Sequence, residues 1–343
     1  MAANVDNKPV VTVVMAAYNA AKTLPRAIES VLAQIFSNWR MICVNDGSTD
    51  NSLELLEEYA KKDTRVMVLS QCNQGPAAAR ATAYERLETP YAIMLDADDY
   101  YSPDLLEQCV NMAIKTGADI ALPNMRIEQP NGSFMDWNKS YNLHMGMEMS
   151  GQEAFSRMFI QASVHGCGLW NASLLKRFAL GQNATYNMMN ADEYIQRLLF
   201  LNCKKVVFTG GIYYYACNQE SITKKFSIRQ LGYLDTCKKF IDFIEPYHLD
   251  GKLAAVIKEY YFRHIIHLQL RLYKDGKDLA PVDRRTMKRT LRKAYKEAMA
   301  FKKDFLFTEK RYPWLYKLFS TNGYMLFCLS IFTFAMYQKY KGA

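Results

Sequence analysis

Closely spaced cysteine pairs are missing from this sequence, and its first residues do not have the pattern of a secretory leader. The eight cysteines stand apart along 343 residues, and none of them forms a Cys-x-x-Cys pair. This scatter argues against a zinc site and against a disulfide framework, and it is typical of reduced thiols in the cytoplasm. The first residues read MAANVDNKPVVTVVMAAYNA, with no basic stretch ahead of the apolar run. We therefore predict no signal peptide and a cytoplasmic location.

An even distribution of charge is also missing. From Ser221 onward there are 25 Lys and Arg against 11 Asp and Glu, a balance of +14. The first 220 residues hold the remaining 18 basic and 23 acidic side chains, a balance of −5, and the sum is +9. An acidic body with a basic end predicts different partners for the two parts. No RNA- or DNA-binding motif accompanies the basic residues, so nucleic acid is not expected as a partner.

No apolar run is long enough to span a bilayer. The longest candidate, residues 324–337, reads YMLFCLSIFTFAMY and is apolar for 14 positions. A spanning helix needs ~20 apolar residues, so this run predicts an interfacial or buried helix. Basic residues lie on both sides of it. We expect peripheral contact with the inner face of the cell membrane, and packing in a protein core is the alternative.

Strands and helices alternate over the first hundred residues. Short apolar runs, such as VVTVVMAA at 10–17 and YAIML at 91–95, suit strands that are buried on both faces. Segments with helical spacing separate them. This order predicts an α/β fold with a doubly wound, mostly parallel sheet. Further along, we predict helices near 151–161 and 191–201, a pair of strands at 204–216 and a helical extension from about Ile228.

Polar clusters follow the predicted strands at their carboxyl ends, where such sheets bind ligands. The clusters read YN, NDGSTD and DADD, and the last one places Asp96, Asp98 and Asp99 within four positions. At ~4 Å and an effective dielectric constant of ~20, each pair of like charges costs about 4 kcal/mol. These carboxylates therefore need a cation, protonation or solvent.

Five motifs, taken in order, resemble the family 2 glycosyltransferases, which are inverting enzymes of the GT-A fold that use nucleotide-diphospho sugars. The motifs are VVMAAYNA, VNDGSTD, NQGPAAARATA, YAIMLDADDYYSPDLL and ADEYIQRLLF, and the resemblance covers roughly residues 9–225. It implies a nucleotide-sugar-binding half at 1–110 and an acceptor-binding half at 111–225. Residues 226–343 lie outside it and are predicted to form a basic, aromatic helical region.

The resemblance also implies roles for individual residues. Those expected to bind the nucleotide sugar are Ala16, Tyr18, Asn19, Asp46, Arg80, Asp96 and Ala97. Asp46 would accept the imide N–H of uracil, although NDGSTD also suits a simple turn and helix cap. Asp98 would bind Mn²⁺ or Mg²⁺ directly, and Asp96 would contact the ribose or the hydrated metal. This cation would make the acidic cluster tolerable, and Asp99 would orient the loop or cap the next helix.

An inverting transfer needs one general base, which the family usually supplies from a Glu-Asp pair that opens a helix. Here Ala191 replaces the Glu, so Asp192 and the adjacent Glu193 are both candidates. The alternative is that these acids only favour the helix dipole.

Two aromatic or histidine features allow more than one interpretation. Trp170 resembles an acceptor-side residue that stacks on a sugar, and it equally suits a core. His264 and His267 have metal-like spacing, but their flanks are apolar and no carboxylate accompanies them, which favours a packed helix face.

Taken together, the resemblance implies a metal-dependent transferase that acts in bacterial surface-polysaccharide or lipopolysaccharide synthesis. The donor would be a UDP-sugar or another nucleotide-diphospho sugar, and the acceptor a glycan or a lipid-linked glycan. One rival is a nucleotidylyltransferase-like enzyme, which would normally carry a glycine-rich phosphate loop where this chain reads MAAYNAAKTLPR. The other rival is a non-catalytic sugar-binding relative. The oligomeric state stays open.

Overall fold

A computed structural model describes residues 8–186, 188–217, 225–306, 319–320 and 323–341, with side chains as far as Met336. The strands are β1 Val11–Ala17, β2 Trp39–Asp46, β3 Val66–Gln71, β4 Tyr91–Met94, β5 Tyr100–Tyr101, β6 Ile120–Glu128, β7 Phe134–Asp136, β8 Glu148–Ser150, β9 Leu169–Asn171 and β10 Lys205–Tyr215. The helices are α1 Leu24–Leu32, α2 Ser52–Lys62, α3 Pro76–Tyr84, α4 Leu105–Thr116, α5 Trp137–Ser140, α6 Gly151–Ile160, α7 Ala172–Phe178, α8 Ala191–Asn202, α9 Gly232–Ile241, α10 Gly251–Asp275, α11 Pro281–Ala300 and α12 Tyr324–Lys341.

The chain forms two compact units. The sheet unit is drawn from residues 1–158, 162–187 and 195–218, and the helical unit from residues 159–161, 188–194 and 219–343. The boundaries predicted at residues 110 and 225 separate donor-binding, acceptor-binding and C-terminal parts by their expected roles, and they stay a prediction.

The sheet has the order β3-β2-β1-β4-β9-β6-β10-β5, with β7 paired to β6 and β8 to β10. Strands β1 to β4 pair in parallel, and so do β6 and β10, whereas β9 runs antiparallel between β4 and β6. The chain moves outward from β1 to β3 and then returns to the other side of β1. The predicted doubly wound, mostly parallel sheet is confirmed. Its ligand crevice is expected where β1 and β4 end, because strand order reverses there.

Burial explains the apolar runs. Val11, Val13, Val14 and Met15 are all buried in β1, since helices cover both faces of a doubly wound sheet. The helix α1 buries Leu24, Ala27, Ile28 and Val31 at helical spacing against the same core. Trp170 lies in β9 with none of its surface exposed, and its ring packs against Phe200. Trp170 is therefore a core residue, and the sugar-stacking interpretation is wrong.

The prediction of two strands at 204–216 is wrong. The structure has one strand there, β10, whose register to β6 shifts between Phe208 and Ile212. The adjacent Gly210 and Gly211 suggest a turn in sequence, but they lie within the strand, and Gly211 serves a close approach instead. A Cβ on Gly211 would lie 2.6 Å from the Cα of Leu105 in α4, so a side chain has no room there. The predicted helices near 151–161 and 191–201 are present as α6 and α8.

The helical unit has its own core, built from α9 to α12. Its largest buried residues include Tyr261, Phe262, Phe319 and Phe327. Among the residues that the structure describes, no helix is both long and apolar enough to cross a membrane. His264 packs between the rings of Tyr260 and Tyr233, and burial lowers its pKa to about 4. This agrees with the prediction of a packed helix face for His264, whereas His267 is exposed.

Candidate active site

Two loops at the carboxyl edge of the sheet are tied together by Asn19. Its side-chain oxygen accepts a hydrogen bond from the Thr49 backbone N–H at 2.7 Å, and its own N–H donates to Ser48 Oγ at 3.0 Å. Asn19 adopts a left-handed backbone with φ of +49°, which Asn tolerates better than most residues. The adjacent Tyr18 is exposed, and Ala16 is half-buried at the end of β1. The Tyr18 ring is therefore exposed just beyond the carboxyl end of β1.

Asp46 ends β2, and its buried carboxylate organises the β3–α3 loop. One oxygen accepts hydrogen bonds from Gln71 Nε2 and the Gln74 N–H, both at 2.9 Å, and the other accepts from the Gly75 N–H at 2.7 Å. Each carboxylate oxygen has two lone pairs, so the group retains acceptor capacity after these three bonds. Gly47 follows with φ of +69°, and a Cβ there would lie 2.8 Å from the Asn73 nitrogen. The NDGSTD motif therefore needs its glycine for both conformation and space.

Asp96, Asp98 and Asp99 follow β4 in a segment that we call the acidic loop, and each has a different environment. Asp96 forms an ion pair with Arg80 of α3, with Nη2 and Oδ1 2.7 Å apart. The Arg80 side chain is 15% exposed and that of Asp96 is 42% exposed, so the pair lies at the edge of the crevice rather than inside the core.

Asp99 is buried, and burial together with the neighbouring Asp96 raises its pKa to about 8. Its oxygens lie 2.7 Å from the Tyr213 hydroxyl, which donates to one of them, and 2.8 Å from the Ala216 N–H, which donates to the other. The Tyr213 hydroxyl also accepts a hydrogen bond from the Asp96 N–H at 3.3 Å. Asp99 therefore anchors the loop to β10. The alternative in which it caps α4 is wrong, because Asp104 occupies that position.

Asp98 is half-buried between these two, beside the half-buried Ala97. Its backbone carbonyl accepts a hydrogen bond from Arg26 Nη2 at 2.8 Å, and the same guanidinium lies 4.5 Å from the ring centroid of Tyr100. Among the described residues, no group of three or more His, Cys, Asp or Glu side chains could hold a metal by itself. One or two carboxylates with phosphate oxygens are nevertheless a usual donor set for hard cations such as Mg²⁺.

Sequence reasoning missed two residues of this site, Tyr213 and Arg26. Tyr213 is 114 positions from its partner Asp99, and Arg26 is 72 positions from Asp98. The only signal for Tyr213 was the run YYY at the end of a predicted strand. Local patterns carry no information on such distant pairs.

Asp192 and Glu193 lie in the helical unit, in the first turn of α8. Burial raises the pKa of the Tyr233 hydroxyl, and the charges of Glu193 and then Asp192 raise it further. Glu193 also acts on His264, where it opposes the lowering of the pKa by burial. Asp192 is exposed and Glu193 is half-buried. Since neither carboxylate is fully buried, both acids stay candidates for the general base.

Solved structures share this architecture. TarS from S. aureus, residues 1–349 in complex with UDP-GlcNAc, is similar with a TM-score of 0.71 over 97% of this chain and 92% of its own, at 16% identity. The mannosyltransferase PcManGT from Pyrobaculum calidifontis, in complex with GDP-Man and Mn²⁺, gives a TM-score of 0.53 over 85% of this chain and 87% of its own, also at 16% identity. At such identities the likeness concerns the fold alone. The predicted GT-A fold is confirmed.

The sequence comparisons then give the family. The model of glycosyl transferase family 2 matches residues 12–182, about half of the chain, including Asp46, Arg80, Asp96 and Asp98. The protein belongs to this family.

Curated relatives agree. They include glycosyltransferase GlyA of Streptococcus pneumoniae, 25% identical over 64% of this chain, and an uncharacterized glycosyltransferase of Haemophilus influenzae, 38% identical over 32%. These matches span only 32% and 44% of the relatives' own lengths. The succinoglycan biosynthesis protein ExoO of Rhizobium meliloti is 26% identical over 86% of this chain and 83% of its own length.

Proposed function

We propose that this protein transfers a sugar, with inversion, from a UDP-sugar or another nucleotide-diphospho sugar to a glycan or lipid-linked acceptor. The proposed setting is the synthesis of bacterial surface polysaccharide or lipopolysaccharide. One observation carries the proposal: Asp46, the Arg80–Asp96 pair and Asp98 all lie at the carboxyl edge of the sheet, around the point where strand order reverses. The relatives support the setting, since ExoO is named for succinoglycan biosynthesis.

The donor would bind along this edge. The exposed Tyr18 ring suits packing against a base. The one lone pair of the Asp46 carboxylate that its three hydrogen bonds leave suits the imide N–H of uracil. Asn19 would act by fixing the loop that carries Tyr18. Arg80 would hold Asp96 toward the ribose, and Ala97, without a bulky side chain, would leave room beside it. TarS with UDP-GlcNAc and PcManGT with GDP-Man support a nucleotide-sugar donor.

Metal dependence is part of the proposal. The available oxygen ligands fit Mn²⁺ or Mg²⁺. Asp98 would supply a carboxylate ligand, and Asp96 is the second candidate. The diphosphate of the donor would supply the remaining oxygen ligands. A divalent cation bound there would neutralise the negative charge that develops on the leaving diphosphate. Arg26 and Tyr100 would keep the backbone of Asp98 in place.

For the general base we propose Asp192 or Glu193. The base would take the proton from the acceptor hydroxyl as that oxygen attacks the anomeric carbon and the nucleotide diphosphate leaves. Ala191 precedes them without a carboxylate, so no third candidate is available in this turn of α8.

A screen of nucleotide sugars tests the proposal. Hydrolysis of the donor, or transfer to a lipid-linked glycan, would be measured for UDP-, GDP- and CMP-linked sugars with Mn²⁺, with Mg²⁺ and with chelator. We expect turnover with a small set of donors and a product of inverted anomeric configuration. Release of pyrophosphate from nucleoside triphosphate and sugar phosphate would instead identify a nucleotidylyltransferase. Tight donor binding with no turnover on any acceptor would identify a sugar-binding relative.

We also propose that the protein works in the cytoplasm, at the inner face of the membrane. The basic balance of the chain from Ser221 onward supports this location, because that leaflet is anionic.

A further inference from the structure

The helix α12 exposes apolar side chains along one line. One face of the helix packs into the core of the helical unit through Phe327, Ile331 and Ala335. Outside that face, Met325 is 86% exposed, Leu329 58%, Phe332 46% and Met336 53%. These four positions are spaced by four, three and four residues, so they fall within about 60° of one another on the helix. We call them the α12 stripe.

The stripe is unusual because it collects four large apolar side chains that are each about half exposed or more. Single exposed apolar residues are normal on a soluble surface, but a contiguous line of four marks an interaction site. Leu326 lies beside the line and is also exposed. Tyr273 of α10 extends the surface, since its half-exposed ring contacts that of Phe332 with centroids 5.6 Å apart.

The neighbouring helix α11 carries a basic face. Its exposed cations are Arg284, Arg285, Lys288, Arg289, Arg292, Lys293 and Lys296. Their positions cover about half of the helix circumference, away from the buried Met287, Leu291 and Ala298. Within the described residues, only Lys293 among these seven forms an ion pair, with Glu297 at 3.9 Å. The other six cations form no ion pair with any residue that the structure describes.

Aromatic contacts hold the two surfaces together. Tyr295 of α11 packs against Phe327 and Tyr324 of α12, with ring centroids 4.5 and 5.5 Å apart. Burial raises the pKa of the Tyr324 hydroxyl, and the Arg292 guanidinium is close enough to oppose that rise. The basic face thus reaches the first turn of α12.

We infer that the α12 stripe and the α11 basic face together form a docking surface for an anionic phospholipid bilayer. The stripe would enter the boundary between headgroups and acyl chains, and the arginines and lysines would contact the lipid phosphates. Charge favours a bilayer as the occupant, because seven exposed cations beside an apolar stripe match lipid phosphates above acyl chains, whereas the same surface of a second copy carries the same excess of positive charge. The inference rests on the proposed location at the inner face of the membrane. It does not depend on the chemistry of sugar transfer, so a failure to bind vesicles would leave the proposed transferase activity untouched.

Sedimentation of the full chain with vesicles tests this surface. Two vesicle types would be compared, phosphatidylcholine alone and an equal mixture of phosphatidylcholine and phosphatidylglycerol. We expect binding to the anionic vesicles that weakens as salt is raised. The stripe variant, Met325→Gln with Leu329→Gln and Met336→Gln, should lower the affinity at least about tenfold. The basic-face variant, Arg285→Glu with Lys288→Glu and Arg289→Glu, should lower it at least as much and remove the preference for anionic lipid.

Matched controls lie on the sheet unit. Ile35→Gln with Met67→Gln and Ile114→Gln removes three exposed apolar side chains, and Lys61→Glu with Lys115→Glu and Lys176→Glu reverses three exposed charges. Both controls should bind vesicles like the wild type, and circular dichroism would verify that every variant folds. Wild-type binding by both test variants would overturn the inference, as would a wild type that ignores anionic vesicles. A wild-type dimer that the stripe variant converts to a monomer, with vesicle binding unchanged, would reassign the stripe to self-association.

Discussion

Arg80 of α3 and Asp96 at the end of β4 are joined by an ion pair, with Nη2 and Oδ1 2.7 Å apart. The pair fixes the first aspartate of the acidic loop to the helix that follows β3. It therefore connects two of the motifs on which the family resemblance depends. Because Asp96 is partly exposed, we expect the pair to matter more for ligand binding than for folding.

Arg80→Met tests this expectation. The substitution should change the free energy of unfolding by no more than about 1 kcal/mol relative to the wild type, because the Asp96 side of the pair is open to solvent. It should weaken donor binding about 10- to 100-fold, the equivalent of losing a hydrogen bond to a charged group. Calorimetric titration with UDP would measure this. The control is Arg40→Met, which breaks the Arg40–Glu88 pair near the opposite end of β2. Equal effects of both changes on UDP affinity would remove Arg80 from the site.

Asp98→Asn tests the metal. The amide has nearly the shape of the carboxylate but no charge, so we expect the gain in UDP affinity that Mn²⁺ gives the wild type to disappear. Titrations with Mn²⁺ and with chelator would measure that gain. Asp104→Asn, six residues along the same chain segment, should keep it. If Asp98→Asn shows the wild-type response to Mn²⁺, Asp98 is not the ligand.

Asp46→Asn tests base recognition. The variant should weaken uridine nucleotides more than cytidine or guanosine nucleotides, by ~1–3 kcal/mol, because the acceptor for the imide N–H is altered in a buried site. Competition among UDP, CDP and GDP would measure the preference. The substitution should also affect the β3–α3 loop, because the same carboxylate accepts hydrogen bonds from the Gln74 and Gly75 N–H groups.

Gln71→Met separates the two effects of Asp46. It removes one hydrogen bond to the Asp46 carboxylate and leaves that carboxylate in place. We expect a modest loss of stability with an unchanged preference for uridine. A uniform loss for every base in Asp46→Asn would mean that Asp46 only supports the loop.

Asp192→Asn and Glu193→Gln test the base. If Asp192 takes the acceptor proton, its substitution should keep donor binding and lower turnover by ~10²–10⁴-fold. Glu193→Gln should then cost far less, because adjacent helix residues point about 100° apart. The opposite order would assign the role to Glu193. Single-turnover rates with saturating donor would separate the cases, and full activity in both variants would place the base elsewhere.

Tyr213→Phe tests the anchor of the acidic loop. The variant leaves the buried Asp99 carboxyl and the Asp96 N–H without their shared hydroxyl, which should cost ~1–3 kcal/mol in the free energy of unfolding. Urea denaturation would measure it. Tyr214→Phe is the control, because the neighbouring ring keeps its stack on Tyr100 at 4.6 Å. A stability like that of the wild type in Tyr213→Phe would show that the loop is anchored by other contacts.

The sequence by itself determined the order of strands and helices over the first hundred residues, and the edge at which the polar motifs lie. Apolar runs such as VVTVVMAA and YAIML report burial on both faces directly, and parallel strands bring their carboxyl ends to one edge. The five motifs also determined the family. These features depend on residues that are close together in the chain, so they can be predicted from one sequence.

The tertiary structure decided what depends on distant partners. Gly210 and Gly211 suggest a turn, but they lie in one continuous strand, where the close approach of Leu105 explains Gly211. Trp170 could stack on a sugar or fill a core, and only packing between β4 and β6 places it inside. The three aspartates look alike in sequence, yet Arg80 pairs with Asp96 and Tyr213 binds Asp99, a residue 114 positions away. The surroundings of Asp96 and Asp99 depend on these contacts between separate elements, which local residue patterns do not encode.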